Sequence, residues 1–320
     1  MGRETVLLVI DVGGTNTVCE TYDVQGSELL SETRGTADVF ADGAAGFVQH
    51  VKEFVHKHKA RYPHTDLGVG VVGVPGIVSL DGTRVISCPN LKELDGLPLG
   101  KELSAAIEVP VYVYKDTELA AVGEQQLGAA RGFANAVCVM LGTGIGCGLV
   151  FNGRVWRGDH SLAGEIGHTI IIPDGRPCTC GRRGCLEMYC SGKAFGRLAV
   201  ELGLAPSDEH RKSESSLARL LFEAAESGNE AAEKAITEGF ALLGTALANM
   251  VNLVNPGIIV LGGGLMAGGA AYRGVVEKAY MDSVRSFAAA VPSIVESQLG
   301  AKAVTKGAWV EGKRILEGRD

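Results

Sequence analysis

The 320-residue chain has no apolar run long enough to span a membrane, and its opening run, Val6–Ile10, is too short even for a secretory signal. It also lacks an excess of positive charge: 30 Lys and Arg stand against 37 Asp and Glu, a net charge of -7. That balance argues against nucleic acid or an anionic membrane as the main partner. No G-x4-G-K-[ST] occurs, so the chain is not a Walker-type P-loop protein. Gly68-x-Gly70-x-x-Gly73 matches the dinucleotide fingerprint in letters only, because it sits inside an unbroken apolar strand and Pro75 follows where a helix should begin. There is no repeat of solenoid period and no low-complexity linker. What is present is 46% hydrophobic residues, 21% charged residues and 45 glycines, the composition of a turn-rich α/β enzyme long enough for two domains.

Eight cysteines without a secretory signal point to a reducing cytoplasm and free thiols. Cys19, Cys88, Cys138 and Cys147 are scattered among Val, Ile, Leu and Gly and read as small buried hydrophobes. The other four fall between 178 and 190. His168, Cys178, Cys180 and Cys185 make a complete tetrahedral zinc set, the sulfurs drawn together through Gly-rich turns. Cys190 offers an all-cysteine alternative; His168 is preferred because a sulfur at 190 must reach back from a helix expected to begin near 187. Glu165 and Glu187 bracket this stretch, which suggests that the metal shapes a binding site. His50, His56, His58 and His64 form a cluster by count, but on or beside an amphipathic helix predicted over 43–61 they read as a solvated face.

The opening residues read as strand, Gly turn, strand, with a second turn at Gln25-Gly26. Further strands are expected at 67–78, Val109–Tyr114, Ala136–Leu141 and Ile258–Leu261, and Asn152-Gly153 signals a hairpin. Helices are expected at Ser216–Ser227 and Glu230–Val254, the second stopping at Asn255-Pro256-Gly257. Three glycine turns follow strands: Asp11-Val12-Gly13-Gly14-Thr15-Asn16, Gly142-Thr143-Gly144 and Gly262-Gly263-Gly264. Such turns aim backbone N–H groups at phosphate, Thr15 adds a hydroxyl, and Asp11 has the chemistry to hold magnesium through water. Asp116 follows a strand and opens a helix, so it reads equally as a helix cap and as the general base that phosphoryl transfer to a hydroxyl requires.

In order along the chain, DVGGTN at 11–16, VPG at 74–76, PN at 89–90, the acid at 116, LGTGIG at 141–146, the hairpin NGRVWRG at 152–158, AGEIGH at 163–168, CTCGRRGCLE at 178–187, SG at 191–192 and NPGIIVLGGGL at 255–265 resemble the ROK (repressor, open reading frame, kinase) family of sugar kinases. The resemblance covers essentially the whole chain. It implies two ribonuclease-H-like domains of the actin/hexokinase type with a cleft between them. The small domain would hold residues 1–115, joined by about 301–320, and the large domain 116–300 with the zinc segment.

The resemblance also implies ATP with magnesium, a structural zinc, a sugar substrate and a homodimer. Asp11, Gly13, Gly14, Thr15 and Asn16 with Gly142, Thr143 and Gly144 would cradle phosphates, and Gly262, Gly263 and Gly264 would face the adenosine. Gly76, Asn90, Lys115, Asp116, Glu165, His168 and Glu187 would line the sugar, with Asp116 taking the proton from the attacked hydroxyl. In one respect the chain departs from the pattern: Lys115-Asp116-Thr117-Glu118 stands where the family usually carries Asn-Asp-x-Asn. With ISCPNL at 86–91 and W-x-G-x-H at 156–160, that departure resembles allose-kinase-type members more than glucokinases. Glucokinase, N-acetylhexosamine kinase and use of polyphosphate remain alternatives. A repressor would need a helix-turn-helix domain ahead of the first glycine turn, which already begins at Asp11, and a sugar sensor would not need Asp116.

Overall fold

The computed structural model describes residues 3–205, 214–284 and 290–318. The first half of the chain runs β1 (Glu4–Val12), β2 (Asn16–Asp23), β3 (Glu28–Gly35), α1 (Thr36–Val39), α2 (Gly43–Arg61), β4 (Thr65–Val74), β5 (Ile77–Val78), β6 (Val85–Ser87), α3 (Leu99–Ile107), β7 (Val111–Lys115) and α4 (Asp116–Leu127). It continues with β8 (Ala136–Leu141), β9 (Ile145–Phe151), β10 (Arg154–Val155), α5 (Gly192–Glu201), α6 (Glu214–Glu226) and α7 (Glu230–Val254). The last elements are β11 (Ile258–Gly262), α8 (Gly264–Gly268), α9 (Arg273–Ser283), β12 (Ser293–Glu296) and α10 (Ala303–Leu316). Two compact units emerge. The first comprises Met1–Gly132, Gly148–Ala163 and Ala301–Asp320; the second comprises Phe133–Cys147 and Gly164–Gly300. The first unit therefore runs past residue 115 and keeps α4, because α4 packs along α10.

In the first unit a five-stranded sheet has the order β3-β2-β1-β4-β7. β2 pairs antiparallel with both β1 and β3, while β1, β4 and β7 run parallel. Strands buried on both faces read as continuous apolar runs, as β1 and β4 do. Leu8, Ile10, Val72 and Val74 face one core with Phe47, Val51 and Phe54 of α2. Leu7, Val9, Val69 and Val71 face another with Leu119 of α4 and Ala308 and Trp309 of α10.

The helix expected over 43–61 is α2, but its histidines do not form a solvated face. His56 is exposed, whereas His50 and His58 are buried. The buried stripe takes in 47, 50, 51, 54, 55 and 58, a three-and-four spacing wide enough to include both rings. His58 is bound at each end, Nδ1 to the Thr21 hydroxyl and Nε2 to that of Thr65, both at 2.9 Å. Burial lowers the pKa of both buried histidines, which favours the uncharged rings.

The strand expected at Val109–Tyr114 lies at Val111–Lys115, which makes Asp116 the first residue of α4 and Lys115 its cap. Pairing of Phe151 with Arg154 closes the expected hairpin, where Asn152 and Gly153 both take positive φ, 52° and 74°.

In the second unit β11 lies parallel between β8 and β12. α7 is capped by the Asn229 side chain, which accepts from Ala232 N–H at 3.0 Å, and stops at Asn255 in the left-handed conformation. Phe195 of α5, Phe222 of α6 and Phe240 of α7 pack as one aromatic cluster with Tyr272, just ahead of α9.

The α4–α10 contact depends on Gly307, where a Cβ would overlap the Leu119 carbonyl. Gly307→Ala should therefore destabilise the protein by ~2 kcal/mol through overpacking, seen as a lower urea midpoint at unchanged m-value.

Candidate active site

Parallel register brings the carboxyl ends of β1, β4 and β7 to one edge: Asp11 pairs with Gly73, and Val74 with Lys115. Ligands of open α/β sheets bind at such edges. A Cβ on Gly73 would lie 3.5 Å from Asp116 Cα, and one on Gly76 would collide with the Ser87 carbonyl. The chain thus passes closely from the VPG turn toward Cys88, two residues before the exposed Asn90.

The charge of Asp116 reaches its neighbours here. Burial first, then the Asp116 and Glu20 carboxylates, push Asp11 up to about 7. Burial also raises the Cys88 thiol to about 12, with the Asp95 and Asp116 carboxylates adding to it against the Leu91 amide. Asp116 Oδ1 accepts the Thr117 N–H at 2.7 Å.

The first glycine turn is a tight connection between β1 and β2. Gly13 N–H donates to the Asn16 carbonyl at 2.9 Å, and the Thr36 hydroxyl donates to the Gly13 carbonyl at 2.7 Å. Gly14, Thr15 and Asn16 are exposed at its tip.

In the second unit the Gly142–Gly144 turn is held from below. The Gly142 and Thr143 carbonyls accept the N–H groups of Gly192 at 2.8 Å and Lys193 at 3.1 Å. Glu187 Oε2 accepts the Ile145 N–H at 2.9 Å, and any Cβ on Gly144 would run into that carboxylate. Register places Gly262 beside Met140, and Gly263, at φ 91°, backs onto Leu141. The glycine turns at 142–144 and 262–264 are therefore neighbours.

The candidate ligand atoms of His168, Cys178, Cys180 and Cys185 all lie within 4.8 Å of one another. Cys180 and Cys185 Sγ are 3.6 Å apart, and Cys178 Sγ is 3.7 Å from His168 Nδ1. Zinc–sulfur bonds of about 2.3 Å in a tetrahedron require edges of about 3.8 Å, so the donor set fits zinc in both chemistry and spacing. Burial opposes ionisation of Cys180, yet the Arg182 amide and side chain bring its thiol down to about 6. His168 Nε2 points away from the sulfurs and lies 4.0 Å from the Glu165 carboxylate. Cys190 stands outside this group, fully buried, its thiol pushed up by burial. The expected helix near 187 is only a 3-10 turn, Leu186–Met188, and α5 starts at Gly192.

Residues 7–312 match the ROK family. The chain is a ROK-family protein. It is 34% identical over 276 residues to the glucokinase of Halalkalibacterium halodurans, covering 81% of this chain and 80% of that one. It is also similar to two solved structures. One is the ROK hexokinase from Thermus thermophilus, with TM-score 0.83 and 27% identity over 98% of this chain and 99% of that one. The other is a ROK glucokinase from Streptomyces griseus in complex with glucose and AMPPNP, with TM-score 0.80 and 27% identity over 97% and 99%. The fold is the actin/hexokinase-like one.

The ROK protein's departure at 118 has a partner that sequence reasoning missed. Glu118 is buried and takes the Arg157 Nε and Nη2 at 2.9 and 2.7 Å. The available signal was an acid in the first turn of an otherwise apolar, buried helix, which demands a cation. Among the expected site residues, Gly76, Asn90, Lys115 and Asp116 belong to the first unit with Asp11–Asn16, whereas Glu165, His168 and Glu187 belong to the second with the other two glycine turns.

Cys180→Ser should abolish bound zinc and Cys190→Ser should leave one zinc per chain, measured by metal analysis; loss of metal in the 190 variant would overturn the ligand set. Asp11 makes a second prediction. Its folded pKa is raised, so the folded state holds a proton that the unfolded state releases, and stability falls as pH rises from about 4 through about 7. Without nucleotide and magnesium, Asp11→Asn should stabilise the protein at pH 8 relative to pH 5, by the order of 3 kcal/mol in the difference, read from denaturant melts.

Proposed function

We propose that this ROK protein is an ATP-dependent hexose kinase. It transfers the γ-phosphoryl group to a sugar hydroxyl, the 6-hydroxyl of an aldohexose such as D-allose, with Asp116 as the general base. The observation that carries the reading is the placement of Asp116 at the carboxyl end of β7, close enough to Asp11 to perturb it, in a chain similar to glucokinases over four-fifths of its length. A kinase base must sit beside the acceptor and stay ionised while the phosphate charge is held elsewhere. The exposed tip Gly14–Asn16 and the turns at 142–144 and 262–264 supply backbone N–H groups for that second task.

In the reaction the attacked hydroxyl loses its proton to an Asp116 oxygen as its own oxygen bonds the γ-phosphorus. The bond from that phosphorus to the bridging oxygen breaks, and ADP leaves with the electron pair. Magnesium arriving with ATP would neutralise phosphate charge, and Asp11 is the carboxylate that would hold its water shell. Zinc on His168, Cys178, Cys180 and Cys185 would fix the loops carrying Glu165 and Glu187, leaving the second His168 nitrogen toward the sugar. Preference for D-allose rests on Lys115, the ISCPNL run at 86–91 and the W-x-G-x-H pattern at 156–160. Glucose is the second reading, carried by the glucokinase relatives. The net charge of -7 weighs against a repressor, and Asp116 against a sensor.

Purified protein should release ADP with an aldohexose when screened against allose, glucose, mannose, fructose and the N-acetylhexosamines, and Asp116→Asn should lower turnover by at least about 100-fold while sugar still binds. No turnover with any of these sugars at full zinc occupancy would overturn the kinase reading. Near-normal turnover of the variant would reduce Asp116 to a helix start.

A further inference from the structure

Glu118 Oε2 is the meeting point of three donors. Two come from Arg157, Nε at 2.9 Å and Nη2 at 2.7 Å, and the third is the Lys115 N–H at 3.2 Å. Arg157 is fixed in turn: Nη1 donates to the Leu80 carbonyl at 3.2 Å, and the guanidinium lies 4.6 Å over the Tyr114 ring. Both side chains of the pair are nearly closed to solvent, 13% and 8% exposed. Asp116 lies inside this arrangement, between the residue whose amide Glu118 accepts and Glu118 itself.

A carboxylate three residues into a helix that reaches back to the cap amide sets the angle at which the chain enters the helix. Lysine has no acceptor with which to cap a helix, so at Lys115 the side-chain acceptor has to come from Glu118. A buried carboxylate keeps one geometry only when its counter-charge is held too, and Arg157 supplies two N–H groups from one rigid plane. The guanidinium over the Tyr114 ring ties the end of β7 to the first turn of α4.

We infer that Arg157 and Glu118 are a positioning pair for the base, fixing the junction of β7 and α4 so that the Asp116 carboxylate meets the acceptor hydroxyl at a reactive angle. This rests on Asp116 being the base. In this role the pair acts through Asp116, so its loss lowers turnover more than binding; misplacement of a reacting group by about 1 Å is enough for up to about 100-fold in rate.

The test compares Glu118→Gln, Arg157→Gln, the double variant and Arg157→Lys, each with and without Asp116→Asn. Each single variant should lower kcat about tenfold with KM for sugar and ATP within about twofold of wild type, and the double variant should lose no more than either single one. Arg157→Lys should not restore kcat, because an ammonium cannot present two donors in a plane. In the Asp116→Asn background, Glu118→Gln should cause no further loss. The double variant leaves no unpaired buried charge and so stays informative where a single variant fails to fold. Near-wild-type kcat in the folded double variant, or an undiminished further loss in the Asp116→Asn background, would overturn the pairing role while the kinase reading stands. A wild-type protein without hexose turnover, or an Asp116→Asn variant of normal activity, would remove the base and the inference together.

Discussion

Burial of one acid close to another at a single sheet edge is the constraint on which the first unit depends. Parallel pairing of β1, β4 and β7 delivers Asp11 and Asp116 to the same end, where burial first and then the Asp116 carboxylate disfavour the charge of Asp11. Nothing in the apolar cores on either side of the sheet relieves this. A proton on Asp11, whose pKa is raised to about 7, removes the conflict. The surrounding structure is closely packed. Glycines at 73 and 76 allow close passage of the backbone, and the Glu118–Arg157 pair closes the helix start without adding net charge.

The second unit meets a different demand with different means. Its glycine turns are held by backbone bonds and by the Glu187 carboxylate, and its cysteine loops contain almost no regular structure to fix them. Three thiols and an imidazole within 4.8 Å gather beside a small buried cluster of Cys178, Cys185 and Met188, and the glycines at 181 and 184, both at positive φ, let the chain double back between sulfurs.

Much of this was legible in the sequence because its signals are local. The helix over 43–61, the stop at Asn255, the turn at Asn152-Gly153 and the cysteine spacing each follow from neighbours within a few residues. What was not legible depends on distant partners. The buried state of His58 requires Thr21 and Thr65, which arrive from two strands that no local pattern links to α2. The environment of Glu118 requires Arg157, 39 residues away and across the hairpin. The course of the first unit past residue 115 follows from packing between α4 and α10, elements at opposite ends of the chain. Glu187 was read as an acid for the sugar, and its bond to the Ile145 amide could not be inferred without the turn that brings them together.

That last bond ties the history of two segments to each other. Because Gly144 has no side chain, the Glu187 carboxylate can lie directly against the turn, and one of its oxygens is already used by the backbone there. A lineage that exchanged the acid at 187 would also loosen the glycine turn, and one that placed any side chain at 144 would expel the acid. The two positions are therefore free to drift only as a pair.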